Sequence, residues 1–359
     1  MTRPLRAGVV GLGYAGETHL QAYRDLGVER VALAGLEPER LKLLGEKYTV
    51  GDLHEDWQEL VARDDLDVVS VCAPNYLHAP IAIAALGSGK HVLCEKPLAR
   101  SGPEAASMVA AAEVNDRVLH TSFNHRERGD VQILRRHLES GALGRIYHAK
   151  ASWMRRRGVP GAGGWFTNKE MAGGGPLIDL GVHVLDLALH LLGEPEVLSV
   201  SAATYAELAG RGGFANVKEA TSTASPLIEV EDLATAFVRL SGGATLLLEA
   251  SWATYGSAGD DFGVTLFGTE GGAEMKVRNY ATADTLRIFT DVAGAPAEVR
   301  PVTGPGEGHR AVVRAFLAAV ASGHFDAHRG YEGLHRTTVV DACYASATAG
   351  HEVGLKPRT

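Results

Sequence analysis

The chain has 359 residues, a length that predicts two domains of ordinary size. Lysine and arginine number 35 and aspartate and glutamate 43, which gives a formal net charge of −8, and the basic residues form no stripe. A nucleic-acid partner is therefore not expected. Because no run of about eighteen apolar residues occurs, a membrane span is not expected either.

The cysteines and the first residues bear on the cellular compartment. Cys72, Cys94 and Cys343 are odd in number, widely spaced and without a CxxC pair. This pattern predicts reduced thiols in a cytoplasmic protein. The first residues lead directly into a strand-like run, so no signal peptide is expected.

Residues 5 to about 121 alternate short apolar runs with helical patterns. The predicted strands cover 5–10, 31–36, 67–73, 91–94 and 118–122. The predicted helices run from the first glycine turn to about 26, over about 78–86 and over 101–115, with Ser101 as the N-cap of the last. β-branched strands separated by helices indicate an α/β Rossmann domain, a parallel doubly wound sheet covered on both faces, over 1–124.

After about residue 125 the pattern changes to longer alternating segments. Strands are predicted at 145–155, 196–205, 229–240, 243–252, 261–268 and 272–278, and helices at about 130–139, 177–192, 309–322 and 331–347. Short glycine links between the strands indicate antiparallel hairpins. We therefore predict an α+β domain over 125–359 with a large, mostly antiparallel open sheet. The last helix is a candidate to pack back on the first domain, and 206–228 is predicted to be a surface loop.

The sharpest local motif is a GxGxxG sequence between the first predicted strand and helix. It consists of Gly11, Gly13 and Gly16, with Tyr14 and Ala15 between the last two glycines. The first glycine permits a tight turn, the second lets the backbone approach a pyrophosphate, and the third allows close helix packing. Together with the positive end of the helix dipole, this context predicts a dinucleotide site.

The end of the second predicted strand leaves the cofactor open between NAD and NADP. An acid that would hold the ribose hydroxyls of NAD is usual here, but this strand ends in Gly35 and Leu36. Glu37 is one candidate for the ribose. Alternatively, Gly35 leaves space and Arg40 neutralises the 2′-phosphate of NADP. Since only one base is present, NAD is favoured.

Two further segments follow the next strands of the parallel sheet. Open α/β sheets bind ligands at the carboxyl ends of their strands. Cofactor contacts are therefore predicted for Ala73, Pro74, Asn75, His78, Glu95 and Lys96. A lysine held between a glutamate and a proline also suits a proton donor.

A glycine run opens the third motif, GGGPLIDLGVHVLD. On a helix, Asp179 and His183 share one face at i and i+4, and Asp186 and His190 continue that stripe. An aspartate that orients an imidazole suits acid–base work. A metal site on the stripe and a capping Asp179 with a core His183 are alternatives, but without a cysteine or second ligand pair no metal is expected.

Several aromatic and basic residues are candidates for binding the substrate. Aromatic rings stack on sugar faces, and guanidinium groups hydrogen-bond to hydroxyls or to an anionic substituent. These candidates are Asn124, Arg126, Trp153, Arg155, Arg156 and Trp165.

In this order, GLGYAG, APNYLH, CEKPLA and GGGPLIDLGVHVLD resemble the Gfo/Idh/MocA family of glucose–fructose oxidoreductases and inositol dehydrogenases over nearly the whole chain. The resemblance implies a nicotinamide nucleotide on the glycine loop and Lys96 beside the substrate and nicotinamide. It implies that Asp179 and His183 complete the site, and that dimers or tetramers form through the second-domain sheet. Two departures stand out: the ribose-binding acid is displaced, and Trp165 precedes phenylalanine where many members have arginine.

We therefore predict a cytoplasmic NAD(P)-dependent oxidoreductase. It would transfer a hydride between nicotinamide and a secondary alcohol or ketone of a sugar, glycoside, cyclitol or aminosugar. His183 would accept the hydroxyl proton, Lys96 polarise the same oxygen and Asp179 orient the pair, with the proton returned in reduction. The alternatives are an NAD-dependent glycoside hydrolase of the same family and a non-catalytic NAD(P)-binding protein.

Overall fold

The computed structural model describes residues 5–28, 30–161, 163–211, 213–214 and 227–356. Contacts divide the chain into two compact units. The first unit holds residues 1–124 and 307–337, and the second unit holds 125–306 and 338–359. The chain thus changes unit where the sequence pattern changes, but 307–337 returns to the first unit instead of staying in one continuous second domain.

The described elements follow in chain order. The strands are β1 (Arg6–Val10), β2 (Arg30–Ala34), β3 (Asp52–His54), β4 (Val68–Val71), β5 (His91–Glu95), β6 (Leu119–Ser122), β7 (Ile146–Arg155), β8 (Val197–Tyr205), β9 (Leu233–Leu240), β10 (Thr245–Ser251), β11 (Asp260–Gly268), β12 (Gly272–Arg278), β13 (Leu286–Val292), β14 (Ala295–Val299) and β15 (Val353–Gly354). The helices are α1 (Tyr14–Asp25), α2 (Pro38–Tyr48), α3 (Trp57–Val61), α4 (Asn75–Gly87), α5 (Gly102–Val114), α6 (Gly129–Glu139), α7 (Lys169–Ala172), α8 (Val182–Leu191), α9 (His309–Ser322) and α10 (Tyr331–Ala349).

The sheet of the first unit is parallel, with the strand order β3-β2-β1-β4-β5-β6. This is the doubly wound Rossmann order, and it confirms the predicted fold class. The strand order reverses between β1 and β4, which is where such sheets bind ligands. The sequence analysis did not predict β3, α2 or α3. Strand β3 is short and largely exposed, so it lacks the apolar run that marks a buried strand.

Local signals account for the helices that frame this sheet. Ser101 caps α5 as predicted, since its hydroxyl accepts a hydrogen bond from the backbone N–H of Glu104 at 3.4 Å. Helix α9 belongs to the first unit because Val313 and Phe316 on its apolar face are fully buried in one core cluster with Tyr23 of α1.

The sheet of the second unit has the order β14-β13-β12-β11-β7-β10-β9-β8-β15 in the described residues. Every pair is antiparallel except β7 with β10, so the predicted open, mostly antiparallel sheet is confirmed. The sequence did not predict β13 and β14, which lie at an edge where exposed residues weaken the alternating pattern. Of the predicted loop 206–228, residues 212 and 215–226 lie outside the described residues.

The predicted helix over 177–192 has two parts. Leu177–Gly181 forms a π-helical turn, and α8 follows directly and is buried along nearly all its length. The longer helical stretch Lys169–Leu191 is long and apolar enough to cross a membrane, with a window of mean hydropathy 1.2, but 89% of that window is buried inside the protein. The stretch therefore lies in the interior of the protein.

Candidate active site

The glycine loop between β1 and α1 is shaped by two close approaches and one open position. Gly11 has a φ of +109°, and a Cβ there would lie 2.2 Å from the carbonyl oxygen of Cys72. A Cβ at Gly16 would lie 1.9 Å from the carbonyl oxygen of Gly11, whereas one at Gly13 meets nothing within 4 Å. Packing therefore requires the outer glycines, and the middle one leaves open space at the amino end of α1. This cradle fits a dinucleotide pyrophosphate.

The residues at the end of β2 bear on the two ribose alternatives. A Cβ at Gly35 would lie 2.3 Å from the side chain of buried Leu12, so close packing already explains this glycine. Arg40 forms an ion pair with Glu17 and donates from Nε to the carbonyl oxygen of Leu12 at 3.3 Å. Glu37 is exposed at the N-cap of α2. Arg40 is thus paired with Glu17, while Glu37 faces solvent.

Glu17 is the centre of a small charged cluster that holds Arg40. Its carboxylate also accepts hydrogen bonds from Lys47 at 2.7 Å and from the hydroxyl of Tyr48 at 3.2 Å. The Lys47 contact is the main reason why the pKa of Glu17 lies below its ordinary value. A charged Glu17 keeps the guanidinium of Arg40 paired.

The ring of His78 lies between the two turns that follow β4 and β5 and contacts a carbonyl oxygen of each. One ring nitrogen lies 2.8 Å from the carbonyl oxygen of Pro97 and the other 2.8 Å from that of Ala73. The side chain is 1% exposed, and burial lowers its pKa. Both ring nitrogens therefore lie against carbonyl oxygens of the protein itself, and the predicted contact of His78 with a cofactor stays a prediction. Lys96, in a cis peptide bond to Pro97, is half-buried.

Glu95 lies buried between two histidines that the sequence did not single out. Its Oε1 is 3.0 Å from Nε2 of His19 and 3.4 Å from Nε2 of His309, and its Oε2 accepts the backbone N–H of Lys96 at 3.2 Å. Burial alone would raise the pKa of Glu95, but these histidine contacts bring it well below its ordinary value. The predicted cofactor residue thus acts as an internal anchor for the turn that carries Lys96.

The donor atoms of His19, Glu95 and His309 lie within 4.8 Å of one another, a grouping that resembles a metal-binding trio. The separation of 3.0 Å between His19 and Glu95 is a hydrogen-bond length, and Nδ1 of His19 is 3.0 Å from Oγ of Ser70. A hydrogen bond accounts for the separation between His19 and Glu95 without a metal. The histidines come from α1 and α9, so no spacing in the sequence relates them to Glu95.

Asp179 lies in the π-helical turn of the second unit. Its Oδ2 accepts a hydrogen bond of 3.0 Å from Nε1 of Trp252, whose side chain is completely buried. Single π-helical turns occur often at functional sites. The sequence did not point to Trp252, which follows β10 and is distant in the chain.

His183 lies at the start of α8, 7% exposed, in a cluster of rings. The ring of His125 is 4.7 Å from it and that of Trp153 is 5.5 Å, both measured between centroids. Trp153 is 2% exposed and donates its indole N–H to Oδ1 of Asp260 at 2.6 Å. Trp153, a predicted substrate residue, therefore packs beside the ring of His183.

The glycine run before Asp179 is required by buried Glu231. Its carboxylate accepts the backbone N–H groups of Gly175 and Leu177 at 2.9 and 3.1 Å and the hydroxyl of Tyr344 at 2.8 Å. A Cβ at Gly175 would lie 2.1 Å from the carbonyl oxygen of Glu231, and one at Gly174 would lie 2.0 Å from the hydroxyl oxygen of Tyr344. Glu231, which the sequence analysis missed, thus holds the turn that presents the aspartate.

The predicted stripe of acids and histidines does not continue past His183. Asp186 accepts two hydrogen bonds from Arg126, at 2.8 and 2.5 Å, and the ring of His190 lies 2.6 Å from Nη1 of Arg135. Asp186 and His190 pair instead with the arginines before and within α6. The guanidinium of Arg126 is largely buried in this ion pair, which argues against its predicted contact with substrate.

The remaining predicted substrate residues differ in their surroundings. Arg155 is half-buried and lies 3.1 Å from Asp260, whereas Arg156 is exposed. Trp165 stacks on Phe166 with ring centroids 3.8 Å apart. Asn124 is half-buried at the end of the first unit's amino-terminal segment. These positions leave their roles toward a substrate as predictions.

Comparison with known proteins matches both units to one family. Residues 5–123 match the model of an oxidoreductase family with an NAD-binding Rossmann fold, and residues 131–274 match the GFO/IDH/MocA C-terminal domain. The D-glucoside 3-dehydrogenase of Escherichia coli (strain K12) is 38% identical over 280 residues, which cover 74% of this chain and 77% of that protein.

Levoglucosan dehydrogenase is similar over almost the whole length. The Pseudarthrobacter phenanthrenivorans enzyme is 28% identical over 379 residues, 96% of each chain. A solved structure of levoglucosan dehydrogenase in complex with NADH has a TM-score of 0.86 at 26% identity and covers 99% of this chain and 100% of that one. The chain therefore belongs to the Gfo/Idh/MocA family of oxidoreductases and carries its NAD-binding Rossmann domain, as the motifs predicted.

Proposed function

We propose that this protein is an NAD-dependent dehydrogenase that oxidises a secondary alcohol of a sugar or related polyol, or reduces the corresponding ketone. The observations that carry the proposal are the Asp179–Trp252 hydrogen bond and the ring cluster around His183, on a chain whose first unit has a glycine loop that fits a dinucleotide. The sugar dehydrogenases among its relatives support this substrate class.

Each candidate residue has a distinct task in this reaction. When bound, the nicotinamide supplies the redox chemistry, taking up or returning a hydride. Gly11, Gly13 and Gly16 would hold its pyrophosphate. His183 accepts the proton of the reacting hydroxyl in oxidation and returns it in reduction, since imidazole exchanges protons near neutral pH.

Lys96 and Asp179 complete the proton chemistry. The lysine polarises the reacting oxygen, and the anchored Glu95 fixes its main chain. The aspartate, itself oriented by Trp252, keeps the imidazole in a productive orientation. The assignment of these roles follows the family resemblance.

Replacement of Lys96 tests the proposal. We expect K96A to lower turnover of an active sugar by about 10²–10⁴-fold, the usual contribution of a general acid or base, with NADH affinity kept. Lys42 is exposed on α2, so K42A is the matched control and should be unchanged. Near-normal turnover of K96A would remove the lysine from the mechanism. Sugar release from glycosides without net NADH would favour the hydrolase alternative, and no turnover with any sugar would favour the non-catalytic one.

We further propose that NAD is preferred over NADP. Arg40 is paired with Glu17, whereas Glu37 is exposed near the carboxyl end of β2. A fluorescence titration of nucleotide-stripped protein should therefore show tighter binding of NADH than of NADPH. The opposite order would assign the ribose site to Gly35 and Arg40.

We also propose that a second copy of the chain covers the open sheet face in a cytoplasmic homo-oligomer. On this face Leu247 is 38% exposed and Phe289 39% exposed, while α8 lies against β7 and β11 on the other face. Apolar side chains on an exposed sheet favour association. Sedimentation analysis should show a dimer or tetramer, and L247K should shift it toward the monomer. The free thiols of Cys72, Cys94 and Cys343 suit a reducing compartment.

A further inference from the structure

A chain of buried polar groups connects the core of the first unit to the turn that carries Lys96. The hydroxyl of Tyr23 lies 2.9 Å from Oγ of Ser70, and the same Oγ lies 3.0 Å from Nδ1 of His19. Nε2 of that imidazole lies 3.0 Å from Oε1 of Glu95. The first three side chains are completely buried and Glu95 is 8% exposed, so solvent does not compensate for a hydrogen bond lost inside this chain.

The protons of this chain point in one direction, toward Glu95. Burial would raise the pKa of Glu95, but its histidine contacts hold it well below its ordinary value, so the carboxylate is ionised and can only accept. Nε2 of His19 therefore donates, and Nδ1 of the neutral ring accepts from the hydroxyl of Ser70. Burial raises the pKa of Tyr23, so the phenol keeps its proton and donates it to Ser70. Each group thus directs its proton to the next.

The two oxygens of Glu95 have different partners. Oε1 accepts from His19, and Nε2 of His309, whose side chain is 11% exposed, lies 3.4 Å from the same oxygen. Oε2 accepts the backbone N–H of Lys96 at 3.2 Å. The donor of His19 therefore fixes the rotation of the carboxylate, and the carboxylate fixes the main chain of the lysine.

Helix α1 ties this chain to the nucleotide loop. The glycine motif ends at Gly16, and His19 follows within the next turn of the same helix. The close approach of Gly16 to Gly11 holds the amino end of α1 against the loop. The packing that shapes the nucleotide loop thus also sets the level of His19 against Ser70 of β4 and Glu95 of β5.

We propose that His19 is a positioning residue for the proton chemistry at Lys96 and acts through Glu95. This inference rests on the proposed function, in which Lys96 polarises the reacting oxygen. His19 is completely buried and acts at a distance from the substrate. Without its donor the carboxylate of Glu95 is free to turn, and the main chain of Lys96 loses its fixed acceptor. Because small misplacements of a catalytic group lower turnover strongly, the loss of this one hydrogen bond should slow the reaction.

Two amide substitutions of His19 separate the two ends of the ring. In His19→Gln the amide nitrogen takes the place of Nε2 and keeps a donor for Glu95, whereas in His19→Asn the shorter amide keeps a partner for Ser70 but does not reach the carboxylate. We expect H19N to lower kcat about 10- to 100-fold and H19Q to stay within about threefold of the wild type. The Kd for NADH should change by less than about threefold in both. An equal loss of kcat in the two variants, or a normal kcat in H19N, would overturn the inference.

His324 provides the matched control. It is exposed after α9 in the same unit, so H324N and H324Q make the same changes away from Glu95 and should leave kcat unchanged. If H19N does not fold, Ser70→Ala replaces it, because this variant removes the hydroxyl that holds Nδ1 of His19. S70A should lower kcat about three- to tenfold, and an unchanged kcat would contradict the inference.

Chemical labelling distinguishes failure of the inference from failure of the proposed function. Acetic anhydride acetylates lysine amines, and mass spectrometry of the nucleotide-stripped protein compares Lys96 with exposed Lys42. Because the surroundings of an amine set its reactivity, the ratio of the two labelling rates should change at least about threefold in H19N and stay at the wild-type value in H19Q. If the ratio changes in this way but no sugar is turned over, the proposed dehydrogenase activity is wrong and the positioning role stands. If sugars are turned over and the ratio in H19N is unchanged, the inference is wrong.

Discussion

Trp252 holds the candidate catalytic carboxylate of Asp179 through a hydrogen bond of 3.0 Å from its indole nitrogen. The indole is completely buried, whereas the aspartate belongs to a π-helical turn whose backbone is less regular than that of the α-helix after it. A rigid donor in the core thus fixes an acid on a less regular segment. If Asp179 orients His183, precision at the imidazole depends on Trp252, which contacts neither substrate nor cofactor in this scheme.

We therefore expect Trp252→Phe to lower kcat by about 10- to 100-fold, as small misplacements of a catalytic group do. Phenylalanine fills most of the volume but removes the Trp252 donor from the half-buried carboxylate, and the loss of a hydrogen bond to a charged group should also cost about 1.5–3 kcal/mol of unfolding free energy. Steady-state kinetics and urea unfolding measure the two effects. The KM for NAD should not change, because the nucleotide cradle belongs to the first unit.

Trp57 provides the control for this substitution. It is a partly buried tryptophan packed against the core of the first unit, so W57F makes the same chemical change away from Asp179. A fall in kcat for W57F equal to that for W252F would mean that the loss reflects general destabilisation and not the hydrogen bond to the aspartate.

Gly13→Ala separates nucleotide binding from folding. A Cβ at this position meets nothing within 4 Å, and the φ of −72° suits alanine. The unfolding free energy should therefore change by less than about 0.5 kcal/mol. The added methyl group would occupy the space through which the backbone approaches the pyrophosphate, so we expect the Kd for NADH to rise at least about tenfold, measured by fluorescence titration.

Gly51 is the matched control in the same unit. It also has open space around its Cβ position and no positive φ, but it precedes β3 and lies outside the glycine motif. G51A should leave the Kd for NADH unchanged. An unchanged Kd in G13A would remove the loop from the nucleotide site.

His91 should make the protein less stable in mild acid. Burial, assisted by the charge of Arg117, lowers its pKa to about 4, and its Nδ1 accepts the backbone N–H of Val118 at 2.9 Å. The unfolded imidazole has a pKa of about 6.5, so the unfolded state binds the extra proton between about pH 6.5 and 4. The stability that neutral His91 contributes is therefore complete above pH 6.5 and is lost as the pH falls through this window.

His91→Asn removes the titrating imidazole and keeps an oxygen that can accept the backbone N–H of Val118. Between pH 7.5 and pH 5, the unfolding free energy measured with urea should fall less for the variant than for the wild type. The difference corresponds to at most one proton fewer taken up on unfolding. Some acid sensitivity will remain, because burial also lowers the pKa of His190 to about 4. Equal pH dependence in wild type and variant would show that His91 is accessible to protons in the folded state.

Much of the fold could be predicted because its signals are local. Strand β12 and helix α9 lie close to their predicted positions. Ser101 caps α5, as predicted. Apolar periodicity, turn glycines and side-chain caps act over a few residues. The exposed edge strands β13 and β14 were missed because few of their side chains are buried, so the alternation that marks a strand is weak.

The candidate site could be predicted only in part, for the same physical reason. The motifs singled out Lys96, Asp179 and His183, but not the residues that hold them. Glu95 meets His309 only because α9 returns to the first unit, and Arg126, a predicted substrate residue, forms an internal ion pair with Asp186. Burial and ion pairing decide which polar side chains stay available to a ligand, and neither can be read from the spacing of residues in the sequence.

The sequence by itself thus determined the two-domain α/β and α+β architecture, the nucleotide loop and the family, since these depend on glycine turns, apolar periodicity and ordered motifs. The tertiary structure alone decided how charges are distributed over the sites. Arg40 is paired with Glu17, and Arg155 is shared between Asp260 and Tyr280. The reason is that these partners lie more than twenty residues apart and meet only where strand order and helix packing bring them within hydrogen-bond distance.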